Sequence, residues 1–83
     1  VGLRGLYSNT SGFENISLGT AALYRNTTGY HNIAIGADAL SFSTTGKQNI
    51  AIGMSALYSN TTGDENVGVG QFALYNTSTG TSN

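Results

Sequence analysis

A strict 17-residue period runs through the whole chain. Glycine keeps this spacing in two columns, asparagine in a third and leucine in a fourth, and no insertion or deletion interrupts any column. Periodicity of this kind predicts a repeat architecture, in which each unit packs mainly against its two neighbours. The columns are Gly2, Gly19, Gly36, Gly53, Gly70; Gly12, Gly29, Gly46, Gly63, Gly80; Asn15, Asn32, Asn49, Asn66, Asn83; and Leu6, Leu23, Leu40, Leu57, Leu74.

Each repeat contains one segment that alternates like a strand. In Ile33-Ala34-Ile35 the two bulky side chains point one way and the small one points the other. The same pattern recurs at 16–18, 50–52 and 67–69. An Ala-Leu pair follows in every repeat and predicts a second short strand, with a helical turn as the alternative; the alanines are Ala22, Ala39, Ala56 and Ala73.

A unit of 17 residues is too short for two helices and a turn, but it fits one coil of a β-solenoid. We therefore predict an all-β protein, a parallel β-roll or β-solenoid of about five coils stacked about 4.8 Å apart. The whole chain, 1–83, forms a single repeat domain in this interpretation. Its ends carry no segment that would cap a stack, which suggests a piece of a longer fibre.

The columns predict distinct roles. Asparagine at a turn can hydrogen-bond the coils on either side, and glycine fits corners that exclude a Cβ atom or need positive φ. The bulky strand residues and leucines are expected to fill the interior. The small column suits close approach of another chain and predicts a subunit interface, with a packed interior layer as the alternative. The turn residues are Asn15, Asn32, Asn49, Asn66, Gly19, Gly36, Gly53 and Gly70; the interface residues are Ala34, Ala51 and Gly68.

Composition excludes several classes of function. Only 8% of the residues are charged and the formal net charge is −1, so the chain has no basic footprint for nucleic acid. It contains no cysteine, hence no disulfide or thiolate metal site. No apolar run approaches the roughly 18 residues of a membrane span, so we expect no membrane insertion by this segment.

The residues predict no catalytic, metal or cofactor site. Glu14 and Glu65 share a column three repeats apart, about 14 Å at ladder spacing, which is too far for a glycosidase pair. A carboxylate pair formed between subunits, as in a glycan-cleaving tailspike, stays open as an alternative. The single histidine, His31, lies in a variable turn column. The glycines do not form a phosphate-binding loop.

Two groups of side chains are candidates for contact with a partner. Tyrosines recur in one column that Ser41 interrupts, with Phe42 one position later. They could stack on sugar rings, or on one another. The positions before each turn asparagine vary most and form the second group. The candidates are Tyr24, Tyr58 and Tyr75 in the column, and Phe13, Tyr30, His31 and Lys47 in the variable turn.

Hydroxyl ladders raise a different possibility, an ice-binding β-solenoid. Threonine and serine recur in two adjacent columns, but adjacent residues of an extended strand face opposite ways. Asn-x-Ser/Thr triplets also recur, as a product of the turn chemistry. The hydroxyl columns are Thr10, Thr27, Thr44, Thr61 and Ser11, Thr28, Thr45, Thr62, Thr79; the triplets begin at Asn9, Asn15, Asn26, Asn60 and Asn76.

Asn-Ile-Ala-Ile-Gly at 32–36 and 49–53 resembles the signature of the YadA-like head repeats of trimeric autotransporter adhesins. Ala-Leu-Tyr-Ser-Asn-Thr-Thr-Gly at 56–63 resembles repeats of phage tail-fibre and bacterial surface proteins. The resemblance implies a left-handed parallel β-roll and an intertwined or side-by-side homotrimer. The coil of the head family is usually shorter than this period.

The resemblance and the absence of a catalytic constellation lead to one expectation. The chain is a structural and adhesive module of a trimeric fibre, without enzymatic activity and without a cofactor. Its place is extracellular, on a phage tail fibre of a virion or on a bacterial cell surface. Its partners are two further copies of itself and a host-surface glycan or protein receptor.

Overall fold

The computed structural model describes Gly5 and residues 8–75. Within them there is no helix, and four short strands form one parallel sheet in the order β1-β2-β3-β4. The prediction of an all-β protein is confirmed. The strands are β1 (Ile16–Leu18), β2 (Ile33–Ile35), β3 (Ile50–Ile52) and β4 (Val67–Val69). Members of the sequence columns that lie outside the described residues are Val1, Gly2, Leu6, Tyr7, Asn76, Thr79, Gly80 and Asn83.

The register of the sheet follows the sequence period. Ile33 lies beside Ile16 on one side and Ile50 on the other. The amide of Ile33 donates to the carbonyl of Asn49 at 2.8 Å, and the amide of Gly36 donates to the carbonyl of Leu18 at 2.7 Å. Equivalent positions of successive repeats therefore lie next to each other. Below, each repeat is named after its strand, so that the β1, β2 and β3 repeats are residues 15–31, 32–48 and 49–65.

The Ala-Leu segment forms turns, and the prediction of a second strand is wrong. In the β1 repeat the amide of Ala22 donates to the carbonyl of Gly19 at 3.4 Å, and the amide of Tyr24 donates to the carbonyl of Ala21 at 3.3 Å. Ala21 and Leu23 have φ of 59° and 52°. A strand requires negative φ at every residue, so alternate left-handed residues exclude it. Positive φ recurs at the equivalent positions of the later repeats, which are Asp38, Leu40, Ser55, Leu57, Phe72 and Leu74.

The buried core lies between the strands and these turns. Leucine side chains from the turns fill it, and the strands contribute only their small residues. This places the leucines where the sequence predicts them. The fully buried apolar residues are Ala22, Leu23, Ala34, Ala39, Leu40, Ala51, Ala56 and Leu57.

The expected orientation of the strands is wrong. Ala34 and Ala51 are fully buried within their own chain, so the small column is the packed interior layer and cannot be a subunit interface. The reason is the narrow gap between strand and turn. The Ser17 hydroxyl reaches across it to donate to the carbonyl of Ala22 at 2.9 Å. A Cβ atom on Gly68 would already lie 3.3 Å from the carbonyl oxygen of Ala73, so no isoleucine fits there.

Candidate functional site

The turn asparagines form a buried ladder that fixes the stacking of the repeats. Asn32, Asn49 and Asn66 are fully buried. The backbone amide of Asn49 donates to Oδ1 of Asn32 at 2.9 Å, and the backbone amide of Asn66 donates to Oδ1 of Asn49 at 2.9 Å. The side-chain amides of Asn32 and Asn49 each donate to a glycine carbonyl, of Gly46 and Gly63, at 2.8 Å. These side chains satisfy buried backbone groups, and their role is structural.

A second asparagine ladder was missed by the sequence interpretation. Asn26 and Asn60 are fully buried, and the side-chain amide of Asn26 donates to Oδ1 of Asn9 at 2.9 Å. The 17-residue spacing of these asparagines is the signal that could have found the ladder. Burial also makes the Asn-x-Ser/Thr triplets that begin at Asn26 and Asn60 inaccessible to glycosylation in the folded chain.

The second ladder is interrupted in the β2 repeat, where Ser43 replaces asparagine. Oδ1 of Asn26 and Oγ of Ser43 are buried, and within the described residues neither makes a hydrogen bond. A serine hydroxyl is too short to continue the ladder that joins Asn26 to Asn9. A buried polar atom without a partner destabilises the folded state.

Replacing Ser43 with asparagine is therefore expected to stabilise the protein. The new amide group would donate to Oδ1 of Asn26, as Asn26 donates to Asn9. We expect the free energy of unfolding to rise by about 1 kcal/mol, the usual contribution of one hydrogen bond. Urea denaturation followed by circular dichroism measures this change, with Ser59→Asn in the next repeat as the control. Equal or lower stability of Ser43→Asn would contradict the ladder.

The outward side of the sheet is apolar, and we call it the strand face. It carries no charged residue, and the members in its two end strands are the most exposed, from 41% at Leu18 to 65% at Val69. Exposed apolar surface that is continuous in this way marks sites of association. The strand face consists of Ile16, Leu18, Ile33, Ile35, Ile50, Ile52, Val67 and Val69.

The variable turn brings four candidate residues together. The rings of Phe13 and Tyr30 are stacked, with centroids 4.8 Å apart and planes 4° from parallel. His31 packs edge-on against both rings. The ammonium group of Lys47 lies over the Tyr30 ring, 5.9 Å from its centroid. This group is a surface cluster of aromatic and cationic side chains.

The tyrosine column also stacks along the repeats. Tyr58 and Tyr75 are nearly parallel, with centroids 5.0 Å apart. Phe42 packs against Tyr58 at 4.8 Å with its plane tilted by 49°. Ser41, at the tyrosine position of the β2 repeat, is buried. The column is therefore interrupted between Tyr24 and Tyr58.

An open cavity of about 390 Å³ lies at this interruption. Turn residues line it, and no residue of the four strands does. Its walls combine aromatic rings with one carboxylate and one guanidinium group. The lining includes Tyr24, Arg25, Asp38, Ser41, Phe42 and Tyr58.

Two of the four acidic residues form separate ion pairs. Glu14 contacts His31 at 3.1 Å, and Asp64 contacts the ammonium group of Lys47 at 3.7 Å. The backbone amide of Lys47 also donates to Asp64 at 2.9 Å. In the described part of the chain, no three histidine, aspartate or glutamate side chains come together as metal ligands would.

One of the two hydroxyl columns is already used for internal hydrogen bonds. The hydroxyls of Thr10, Thr27 and Thr44 donate to the carbonyl of the next threonine in the column, at 3.0, 3.2 and 3.4 Å. They hold the repeats together. Only the second hydroxyl column is therefore left as a candidate for ordering water.

No helix of the described residues has the length and hydropathy to cross a membrane. Comparison with protein-family models, with curated proteins and with solved structures found no match for this chain.

Proposed function

We propose that the chain is a structural and adhesive module of a homotrimeric fibre. Its repeats are the coils of a parallel β-solenoid, and three copies pack through their strand faces. The exposed apolar strand face is the observation that carries this proposal. Ile52, in a middle strand, is 38% exposed, and Ile33, Ile35 and Ile50 are half-buried, although β-branched apolar residues are normally inside a folded protein.

A second copy of the chain is the occupant that fits this face best. The bulky ladders repeat at the strand spacing of the sheet, about 4.8 Å. Another copy presents ladders with the same spacing, so all repeats come into contact together. A standard interface covers about 800 Å² on each partner. That is about a fifth of the 4094 Å² surface of this chain.

The number of chains and the setting rest on the sequence resemblance. The Asn-Ile-Ala-Ile-Gly segments at 32–36 and 49–53 resemble repeats of trimeric autotransporter adhesins, and the segment 56–63 resembles repeats of phage tail-fibre and bacterial surface proteins. We infer from this a trimer that is extracellular, on a virion or a bacterial cell surface. Its partner beyond itself is a host-surface glycan or protein receptor.

The proposed mechanism is mechanical. Buried asparagine ladders link each repeat to the next, as between Asn32 and Asn49 at 2.9 Å. Backbone hydrogen bonds run in the same direction, along the stack. A trimer held by three apolar faces would resist bending, since each chain supports the other two. The turns stay exposed and available for adhesion.

A charge placed on the strand face tests this proposal. Ile52 is 38% exposed, so lysine there is tolerated by the single chain but would be buried between copies. Burial of an unpaired ammonium group is strongly unfavourable. We expect Ile52→Lys to reduce the mass from that of several chains toward the 8.6 kDa of one chain, measured by sedimentation equilibrium.

The matched control is Thr45→Lys, which places the same charge on an exposed turn. It is expected to keep the mass of the unmodified chain. Retention of that mass by Ile52→Lys as well would show that the copies do not meet through the strand face.

A further inference from the structure

The β2 repeat departs from the pattern at three consecutive positions. Where the β1 repeat has Tyr-Arg-Asn and the β3 repeat has Tyr-Ser-Asn, the β2 repeat has Ser41-Phe42-Ser43. The change interrupts two ladders in one place. Ser41 removes a ring from the tyrosine column, and Ser43 leaves Oδ1 of Asn26 buried without a hydrogen bond.

This departure lowers stability locally, because a buried acceptor without a partner typically costs about 1–3 kcal/mol. Departures from a structural pattern are expected at functional or strained sites. The break coincides with the cavity of about 390 Å³. That volume lies at the lower end of the range of small-molecule sites, roughly 300–1,000 Å³, and the cavity is widely open to solvent.

Aromatic walls give the cavity a flat apolar contact surface. Tyr24 occupies the position of Ser41 in the preceding repeat. A ring bound beside Ser41 would therefore lie about 4.8 Å from the Tyr24 ring, the spacing of neighbouring repeats. The rings of Tyr58 and Tyr75 stack at a similar distance, 5.0 Å. Phe42 and Tyr58, in contact with each other, form the other side. The open space between Tyr24 and these two rings is where a ring-shaped ligand would lie.

The charged groups of the cavity favour a neutral ligand with hydroxyl groups. Asp38 supplies a carboxylate that accepts hydrogen bonds, and Arg25 supplies a guanidinium group that donates them. No ion pair joins these two side chains within the described residues. The guanidinium group lies over the Phe42 ring, 4.7 Å from its centroid. Because the lining holds one charged group of each sign, it gives no net attraction to a charged ligand.

We propose that this cavity binds a neutral pyranose sugar, with its apolar face on Tyr24 and its hydroxyl groups toward Asp38 and Arg25. The site lies within one chain. The inference rests on the proposed adhesive function only for the expectation that the sugar belongs to a host surface.

Binding can be measured by saturation-transfer-difference NMR on the full chain. The probes are the methyl glycosides of glucose, galactose and mannose at millimolar concentration, with glucosamine and glucuronate as charged comparisons. At least one neutral glycoside is expected to receive saturation at its ring protons, and the charged sugars less. Ser41→Tyr fills the cavity and restores the tyrosine column, so it should weaken binding at least about tenfold, which corresponds to about 1.4 kcal/mol.

Ser43→Asn is the matched control, because it also restores the pattern in the β2 repeat but does not enter the cavity lining. It should bind the sugar as the unmodified chain does. Should Ser41→Tyr fail to fold, Asp38→Asn gives a second test, since asparagine tolerates the φ of 61° at this position. This variant should bind several-fold more weakly.

Absence of saturation transfer to all neutral glycosides would overturn the proposal, and so would equal binding by Ser41→Tyr, or by Asp38→Asn. These outcomes are distinguishable from a failure of the proposed fibre. A trimer without sugar binding would overturn only the sugar site. A monomer that still binds the sugar would overturn only the fibre.

Discussion

Replacing Gly53 with alanine is expected to lower the free energy of unfolding by about 2–6 kcal/mol, as the sum of backbone strain and a clash. Gly53 has φ of 128°, a region that only glycine adopts readily. A Cβ atom there would also lie 2.6 Å from the backbone carbon and oxygen of Gly70. Backbone atoms of a hydrogen-bonded ladder cannot move aside.

Gly70→Ala is the matched control that separates the two causes. Gly70 has a similar φ of 122°, but a Cβ atom there meets no heavy atom of the described residues within 4 Å. It should therefore show the strain alone, about 1–3 kcal/mol. Both values come from urea denaturation at one fixed protein concentration, because association makes apparent stability depend on concentration. Equal losses in the two variants would contradict the close stacking of successive repeats.

Replacing Asn32 with alanine is expected to cause a loss of similar size. Its side-chain amide donates to the carbonyl of Gly46 at 2.8 Å, and its Oδ1 accepts from the amide of Asn49 at 2.9 Å. Both backbone groups belong to buried residues. Each backbone group that loses its partner lowers the free energy of unfolding by about 1–3 kcal/mol, which gives a total of about 2–6 kcal/mol. A chain of this size has only about 4–12 kcal/mol of stability, so the variant is expected to be partly unfolded.

Asn49→Ala removes an equally buried asparagine with a smaller expected loss. The carbonyl of Gly63, which Asn49 contacts, also accepts from the side chain of Asn60 at 3.2 Å. Only the amide of Asn66 then loses its partner. Gly46 has no such second donor because Ser43 stands where asparagine would. The urea midpoint of Asn32→Ala should therefore lie below that of Asn49→Ala. The reverse order would show that the second ladder does not support the first.

Much of the fold could be predicted from the sequence because the period specifies it. A 17-residue repeat without insertions means that equivalent residues lie side by side, and the alternation in Ile33-Ala34-Ile35 identifies the strand. The roles of the asparagines and glycines also follow from their residue types. These features depend on local chemistry and on the spacing alone.

Which side of the strand faces inward could not be predicted. Alternation defines two faces, but the thickness of the interior decides which one is buried, and the sequence does not contain that distance. The gap spanned by the Ser17 hydroxyl, 2.9 Å from the carbonyl of Ala22, admits only small residues. The usual expectation that isoleucine is inside therefore led to the wrong side of the sheet.

The turns after the strands could not be predicted for a related reason. Leu23 and Phe72 have φ of 52° and 61°, although residues of these types rarely adopt positive φ. The hydrogen bonds between repeats impose this backbone, for example from the amide of Leu23 to the carbonyl of Ala39 at 2.9 Å. Tertiary contacts determine the conformation here. The cavity was equally hidden: the sequence shows that Ser41 interrupts a column, but not that a space remains there.

The mass of the unmodified chain in solution tests the central claim most directly. Sedimentation equilibrium over a range of protein concentrations should give about 26 kDa, three times the 8.6 kDa of one chain. The apolar strand face predicts that the chains associate, and the resemblance to trimeric adhesin repeats predicts that three of them do so. A folded chain that remains at 8.6 kDa at every concentration would contradict the account.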